Sequence, residues 1–275
     1  MAKEQQLSLF HLAELTGGGE TAVWELGAAN PCVNAYSIAK VFTMTAVGLL
    51  FDRGRLDPAE KLTDILQADC PDGLDPRWRS ATVDMALTHR LGLPPECLDI
   101  DNFDANTYGR DYLQYVWRTR PAADAAQTYR YTDAAFYLLS RVAEARAGEP
   151  LDTFLWRELL YPLAFREAAF SRCPLGHVVG ATGLYTRAAD IVKLGALYRD
   201  GGVWNGRRLL SEEWVDLALA RRYELAPVGH GRAFGKAGMC GQMLLIVPES
   251  GRVVCWQGYD PRSCDSLIRL AAEYR

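Results

Sequence analysis

"GQMLLIVPESGRVVCWQGY", residues 241–259, contains two apolar, β-rich runs parted by Pro248, Glu249, Ser250 and Gly251. Such runs, separated by Pro and Gly, read as a β-hairpin. Just upstream, "FGKAGMCGQMLLIV" puts Lys236, Ala237 and Gly238 at the beginning of a long apolar strand. Downstream, "SCDSLIRLAAEYR" closes the chain as a helix. At the other end, a Gly17-Gly18-Gly19 turn precedes "ETAVWELGAA", which suits a strand. From about Leu56 to Phe165 the chain reads mainly helical, punctuated by prolines. "DAAFYLLSRVAEARAG" is an amphipathic helix stopped by Gly148, and "AADIVKLGALYRDGG" is another, stopped by Gly201 and Gly202. Strands at both ends with helices between predict a mixed α+β fold, one sheet with a helical insertion. The expected division is a sheet-containing subdomain from 1–55 and 177–275 and a mainly helical subdomain from 56–176.

With 275 residues, 23% charged and 49% hydrophobic, the composition is that of an ordinary globular protein. The net charge is −4 and there is no long basic run, so nucleic acid is not an expected partner. "MAKEQQLSLFHLAEL" lacks a basic region followed by a continuous apolar segment, and no later window is apolar enough to span a bilayer. The expectation is a cytoplasmic protein with no signal peptide and no membrane partner. Seven cysteines at irregular spacing, with no CxxC pair, read as reduced thiols. The four histidines are scattered outside any HxxH or HExxH pattern, so neither a metal nor another cofactor is expected.

Chemistry concentrates in "NAYSIAKVFTMTAVGLLFDRG", residues 34–54, which reads as a helix ending at Gly54. Ser37 stands where an N-cap belongs. A capping box would put Glu or Gln three residues later, yet the residue there is Lys40. A cation in a first turn opposes the helix dipole by roughly 0.3–1 kcal/mol. Three positions along a helix is also one turn, so the Lys40 amine can reach the Ser37 hydroxyl. A lysine activates a serine only when its pKa falls well below about 10.4, and burial and a helix N-terminus both push it down. Two further groups can join this pair. "TYRYTDAAFYLL" carries Tyr131 as an acid–base candidate and Asp133 as a hydrogen-bonding candidate, although Asp133 is also a sound N-cap and Tyr131 a packing residue. Lys236 offers a second cation, or simply a solvated lysine in a turn. Backbone N–H groups of Ser37 and Met239 are candidate oxyanion donors, each worth about 2.7–4 kcal/mol in acyl transfer.

These motifs, "SIAK", "YTD" and "KAG" in that order, resemble the SxxK, YxN and KTG or HxG signatures of penicillin-recognising serine hydrolases, the class C β-lactamase and penicillin-binding-protein superfamily. "GRLDPAEKLTDIL", "TVDMALTHRLGLP", "EPLDTFLWRELLYPLAF" and "GLYTRAADIVKLGALYRDGGVWNGRRLLSEEW" are similar to the family as well, so the likeness covers roughly residues 34–258. The resemblance implies an antiparallel sheet flanked by helices, a helical subdomain, and an active site between the two. It implies Ser37 as the acylated nucleophile, Lys40 as its base, and Tyr131 as base for the second step and acid for the leaving group. It further implies Lys236 as a carboxylate ligand or tuner of Tyr131, with Asp133, Ala237, Gly238 and Met239 beside the substrate. The chain departs from the pattern in three places. Asp133 replaces an amide and removes its donors. Leu91 stands where a serine is frequent, and the usual Pro-Gly before the tyrosine motif is absent.

The expected activity is acyl-enzyme hydrolysis of a small ester, amide or lactam. An acyltransferase, or a weakly catalytic ligand- or partner-binding relative, remains open from the residues alone. His89 in "THRLG" has no Ser–His–Asp order around it and reads as a local hydrogen bond at a helix end. Tyr108, Tyr112, Tyr115, Trp117, Tyr129 and Tyr137 read as core, with a few lining an apolar acyl pocket.

Overall fold

The hairpin forms where the sequence places it. The computed structural model describes residues 8–260 and 265–273. Its strands are β1 (Leu9–Leu15), β2 (Thr21–Glu25), β3 (Val33–Asn34), β4 (Ala168–Phe170), β5 (Leu184–Thr186), β6 (Val203–Trp204), β7 (Arg207–Arg208), β8 (Ala226–Val228), β9 (Ala233–Gly238), β10 (Gln242–Val247) and β11 (Arg252–Gly258). Its α-helices are α1 (Ala39–Phe51), α2 (Leu62–Ile65), α3 (Val83–Leu87), α4 (Tyr112–Arg118), α5 (Asp133–Ala147), α6 (Leu151–Leu155), α7 (Ala188–Arg199), α8 (Glu212–Arg221) and α9 (Asp265–Glu273). Of the expected final helix, Ser263, Cys264, Tyr274 and Arg275 lie outside the described residues.

The chain divides into two compact units. The first comprises the described residues of Met1–Val41, Glu158–Ala169 and Gly183–Arg275. It is built on a six-stranded sheet in the order β2-β1-β11-β10-β9-β8, antiparallel at every pair. All of β10 is buried, because helices cover both sheet faces. On one face Leu244, Ile246 and Val253 meet α7 at Gly195, where a Cβ would lie 2.4 Å from Val253 Cγ1. The close approach of helix to sheet therefore depends on that glycine. On the other face Met243, Leu245, Val247, Val254 and Trp256 form a core with Ala272 of α9. Each such side chain contributes about 1.5–3 kcal/mol by leaving water. The edge strand β2, by contrast, is exposed along its whole length.

The second unit comprises Phe42–Arg157 and Phe170–Thr182. Its centre is α5, which packs on α2, α3, α4 and α6. The amphipathic reading of this helix holds only for its C-terminal half, since every residue from Asp133 to Ser140 is buried. Ser140 Oγ donates to Val178 O at 2.7 Å and Thr43 Oγ1 to Gly180 O at 2.7 Å, binding the return segment to the helices. Gly148 ends α5 with φ +75°, a left-handed cap that glycine adopts without strain. No helix among the described residues is long and apolar enough to cross a membrane.

One strand differs from the sequence reading. Lys236, Ala237 and Gly238 do not begin the long apolar strand; they end β9, and a tight turn at Met239–Gly241 leads into β10. Cys240 and Gly241 both take positive φ there, which reverses the chain and makes two paired strands from one apolar run.

Candidate active site

Ser37 is not an N-cap. It is the middle residue of a 3₁₀ turn, Tyr36–Ile38, that feeds directly into α1. The cap-like bond belongs to Asn34, whose Oδ1 accepts from Tyr36 N at 2.9 Å. Ala35 N is tied to Leu184 O at 2.7 Å, and Tyr36 is held at φ +48°. A non-glycine residue in that region stores strain of about 1–3 kcal/mol, so the bonds on either side fix the turn and with it the direction of Ser37. Ser37 is half-buried, whereas Lys40 is completely enclosed. Lys40 Nζ donates to Ser37 Oγ at 3.0 Å. The amine thus meets both conditions set by the sequence, proximity and burial.

β9 packs against this same turn. A Cβ on Gly238 would lie 2.5 Å from Ala35 O, so glycine is the one residue that lets the strand approach so closely. Side chains alternate along a strand, which puts Lys236 on the Gly238 face, toward the Ser37 turn. Ala237 points outward and is exposed, as is Met239 in the turn just beyond the strand. Lys236 is not a solvated lysine. It is mostly enclosed and forms an ion pair with Glu224, whose side chain is 3% exposed. Glu224 carries no motif signal. It follows the left-handed cap of α8 at Arg222 and has φ +112° itself. Because Ala226 pairs with Gly235, the β8–β9 register carries the preceding residues alongside Lys236.

Within the second unit, Tyr131 stands half-buried just before α5, and Asp133 is the first residue of that helix. The N-cap is Thr132 rather than Asp133. A carboxylate in the first turn still gains from the helix dipole. The Tyr131 loop is fastened by His89, which proves more than a local bond. Thr132 N donates to His89 Nδ1 at 3.3 Å, Arg130 N donates to His89 O at 2.8 Å, and the His89 ring lies 4.5 Å from that of Tyr131. His89 itself is buried, with φ +53°. Thr132 Oγ1 donates to Cys97 O at 3.0 Å, closing the loop from the other side. Two of the tyrosines of this unit line a cavity walled in part by charged residues. A cavity of about 610 Å³ beside α4 has Tyr108 and Tyr115 in its wall together with Arg110, Asp111 and Arg118.

Burial first, and the Glu167 carboxylate second, push the Cys32 thiol up to about 12, and burial holds Cys97 at about 11. Among the described residues no group of three or more His, Cys, Asp or Glu is placed to hold a metal ion.

The beta-lactamase family profile matches residues 28–256, a span that contains Ser37, Lys40, Tyr131 and Lys236. The chain belongs to the beta-lactamase family. This beta-lactamase-family chain is 26% identical over 265 residues to the 6-aminohexanoate-dimer hydrolase of Paenarthrobacter ureafaciens, an alignment covering 86% of this chain and 65% of that protein. It therefore spans 65% of the length of that curated relative. Among solved structures, a candidate 6-aminohexanoate-dimer hydrolase from Bacillus anthracis superposes with TM-score 0.80 at 16% identity, over 99% of this chain and 80% of that one. The octameric penicillin-binding-protein homologue of Pyrococcus abyssi gives 0.74 at 17%, over 98% and 74%. The D-amino acid amidase of Ochrobactrum anthropi SV3 gives 0.71 at 17%, over 98% and 94%. At these identities the structures show the fold, an antiparallel sheet with flanking helices, as the family resemblance implies.

Proposed function

We propose that this chain is a serine hydrolase that forms an acyl-enzyme at Ser37 on a small ester or amide. The observation that carries this reading is the 3.0 Å contact between Ser37 Oγ and a fully enclosed Lys40 amine. With the amine neutral, its nitrogen takes the hydroxyl proton as Oγ attacks the substrate carbonyl carbon. The C–O bond forms, the carbonyl electron pair moves onto oxygen, and backbone N–H groups at Ser37 and Met239 receive the oxyanion. Collapse expels the amine or alkoxide, which takes its proton from the Tyr131 phenol. Water then attacks the acyl carbon, giving its proton to the Tyr131 phenolate, and the Lys40 ammonium returns its proton to Ser37 Oγ as the C–O bond breaks and the free acid leaves. Lys236 lies on the face of β9 turned toward the Ser37 turn, with its charge paired to Glu224. Two relatives, a 6-aminohexanoate-dimer hydrolase and a D-amino acid amidase, are named for amide substrates, which favours a small amide here.

The test is covalent labelling. A fluorophosphonate should add one adduct to the intact protein, mapped to Ser37 by mass spectrometry and missing from Ser37→Ala. An unlabelled wild type, or label that persists in the variant, overturns the assignment.

A further inference from the structure

The Lys236–Glu224 pair changes what the site can recognise. Lys236 shares a strand face with Gly238, which packs on the backbone of the Ser37 turn, so its charge lies on the side of β9 that meets that turn. That charge is already answered by Glu224. A carboxylate with a 3% exposed side chain has little water to stabilise it and depends on its cation. It is also held rigidly. Glu224 keeps a left-handed backbone at φ +112°, with Glu224 N donating to Arg222 O at 2.9 Å. The neighbouring Tyr223 ring is buried 5.8 Å from that of Trp214, anchoring the segment to α8.

We propose that Glu224 is a specificity-determining residue: by neutralising Lys236 it excludes an anionic group next to the scissile bond and selects substrates uncharged there. This rests on the hydrolase reading given above. An incoming carboxylate meets a cation whose charge is already cancelled, and it meets a second carboxylate as well. Its own desolvation is then uncompensated, whereas a carboxamide of the same shape loses much less. Replacing Glu224 by glutamine keeps the size of the side chain and removes the negative charge paired with Lys236, so an anionic substrate gains a cation and loses a repelling carboxylate.

The experiment compares matched ester pairs. One pair is 3-carboxyphenyl and 3-carbamoylphenyl acetate, which differ on the leaving phenol. The other is p-nitrophenyl adipate and adipamate, which differ at the far end of the acyl chain. Values of kcat/KM are normalised to each ester's rate in hydroxide. Wild type is expected to favour the carboxamide, and Glu224→Gln to move the carboxylate-to-carboxamide ratio toward the carboxylate by at least tenfold, about 1.4 kcal/mol, in at least one pair. A loss of packing alone would lower both members together and leave the ratio fixed. Ratios within twofold of wild type in both pairs overturn the proposal. Should a thermal melt show Glu224→Gln unfolded, the wild-type ratio decides, and a preference for the carboxylate in either pair overturns the proposal. Fluorophosphonate labelling of Ser37 is run on the same samples. If Ser37 takes no label, the hydrolase reading fails and this inference fails with it; if Ser37 is labelled and the ratio is unmoved, only the inference fails.

Discussion

Two lysines face the same turn and are treated in opposite ways. Lys40, at the start of α1, is completely enclosed and its amine meets a neutral hydroxyl. Lys236, near the end of β9, is mostly enclosed and its amine meets a carboxylate. Burial disfavours the charged form of a lysine, while an adjacent carboxylate favours it. The two partners differ accordingly: the Lys40 amine stands beside a hydroxyl, and the Lys236 amine beside a carboxylate.

Four substitutions break or sharpen that contrast. The largest effect should come from Lys40→Met, which keeps the volume but removes the base. Acylation of Ser37, followed as a labelling rate, should fall by about 10²–10⁴; a rate within tenfold of wild type would erase the distinction. Lys236→Met should act first on stability, since it strands a buried carboxylate at a cost of about 3–5 kcal/mol in urea unfolding. Removing both charges in Lys236→Met with Glu224→Gln should restore most of that loss, and additive losses would mean that the pair is not coupled. Gly238→Ala comes next. Its Cβ would press on Ala35 O, so about 1–3 kcal/mol of stability and part of the Ser37 labelling rate should go together. If neither changes, β9 does not seat against the turn as described.

The smallest effect calibrates the pair against one in open water. The Arg130 guanidinium, and after it the Thr128 hydroxyl, hold the Asp124 carboxyl at about 2, below its ordinary 3.8. A carboxyl depressed on folding adds stability above its unfolded value and loses it as the pH falls from about 4 toward 2. Asp124→Asn should therefore narrow the drop in urea midpoint between pH 5 and pH 3 slightly. A drop as large as that of Lys236→Met would show that solvent does not separate the two kinds of pair.

What the sequence revealed follows the range of the interaction. SxxK is a contact within one helical turn, and the Ser37–Lys40 bond has the geometry that spacing of three implies. The β10–β11 hairpin needs only its own apolar runs and a Pro-Gly turn, so it too was legible. Ser37 as N-cap was misread because Asn34, three residues earlier, makes the capping-type bond and Tyr36 bends the chain before the helix begins. β9 was merged with β10 because the turn between them uses Cys240 in a left-handed conformation, a residue that gives no turn signal. Glu224 was invisible, since its link to Lys236 arises from strand register and from the cap of α8. His89 was seen but given too small a range; its partner Thr132 lies 43 positions away.

The pairing of β1 with β11 bears on the order in which the molecule comes into being. Ser8 N bonds Asp260 Oδ2 across 252 positions, and Leu9 stands opposite Gly258. Contacts this distant are slow to close, while those that α5 makes with α2, α3, α4 and α6 span far fewer positions. On a ribosome the helical stretch has the means to fold early, but β1 must wait for nearly the whole chain. The seat of Ser37 waits with it, because β9 and its glycine come late in synthesis. An unfinished polypeptide thus carries the Ser37 turn well before the strand that packs against it has been made.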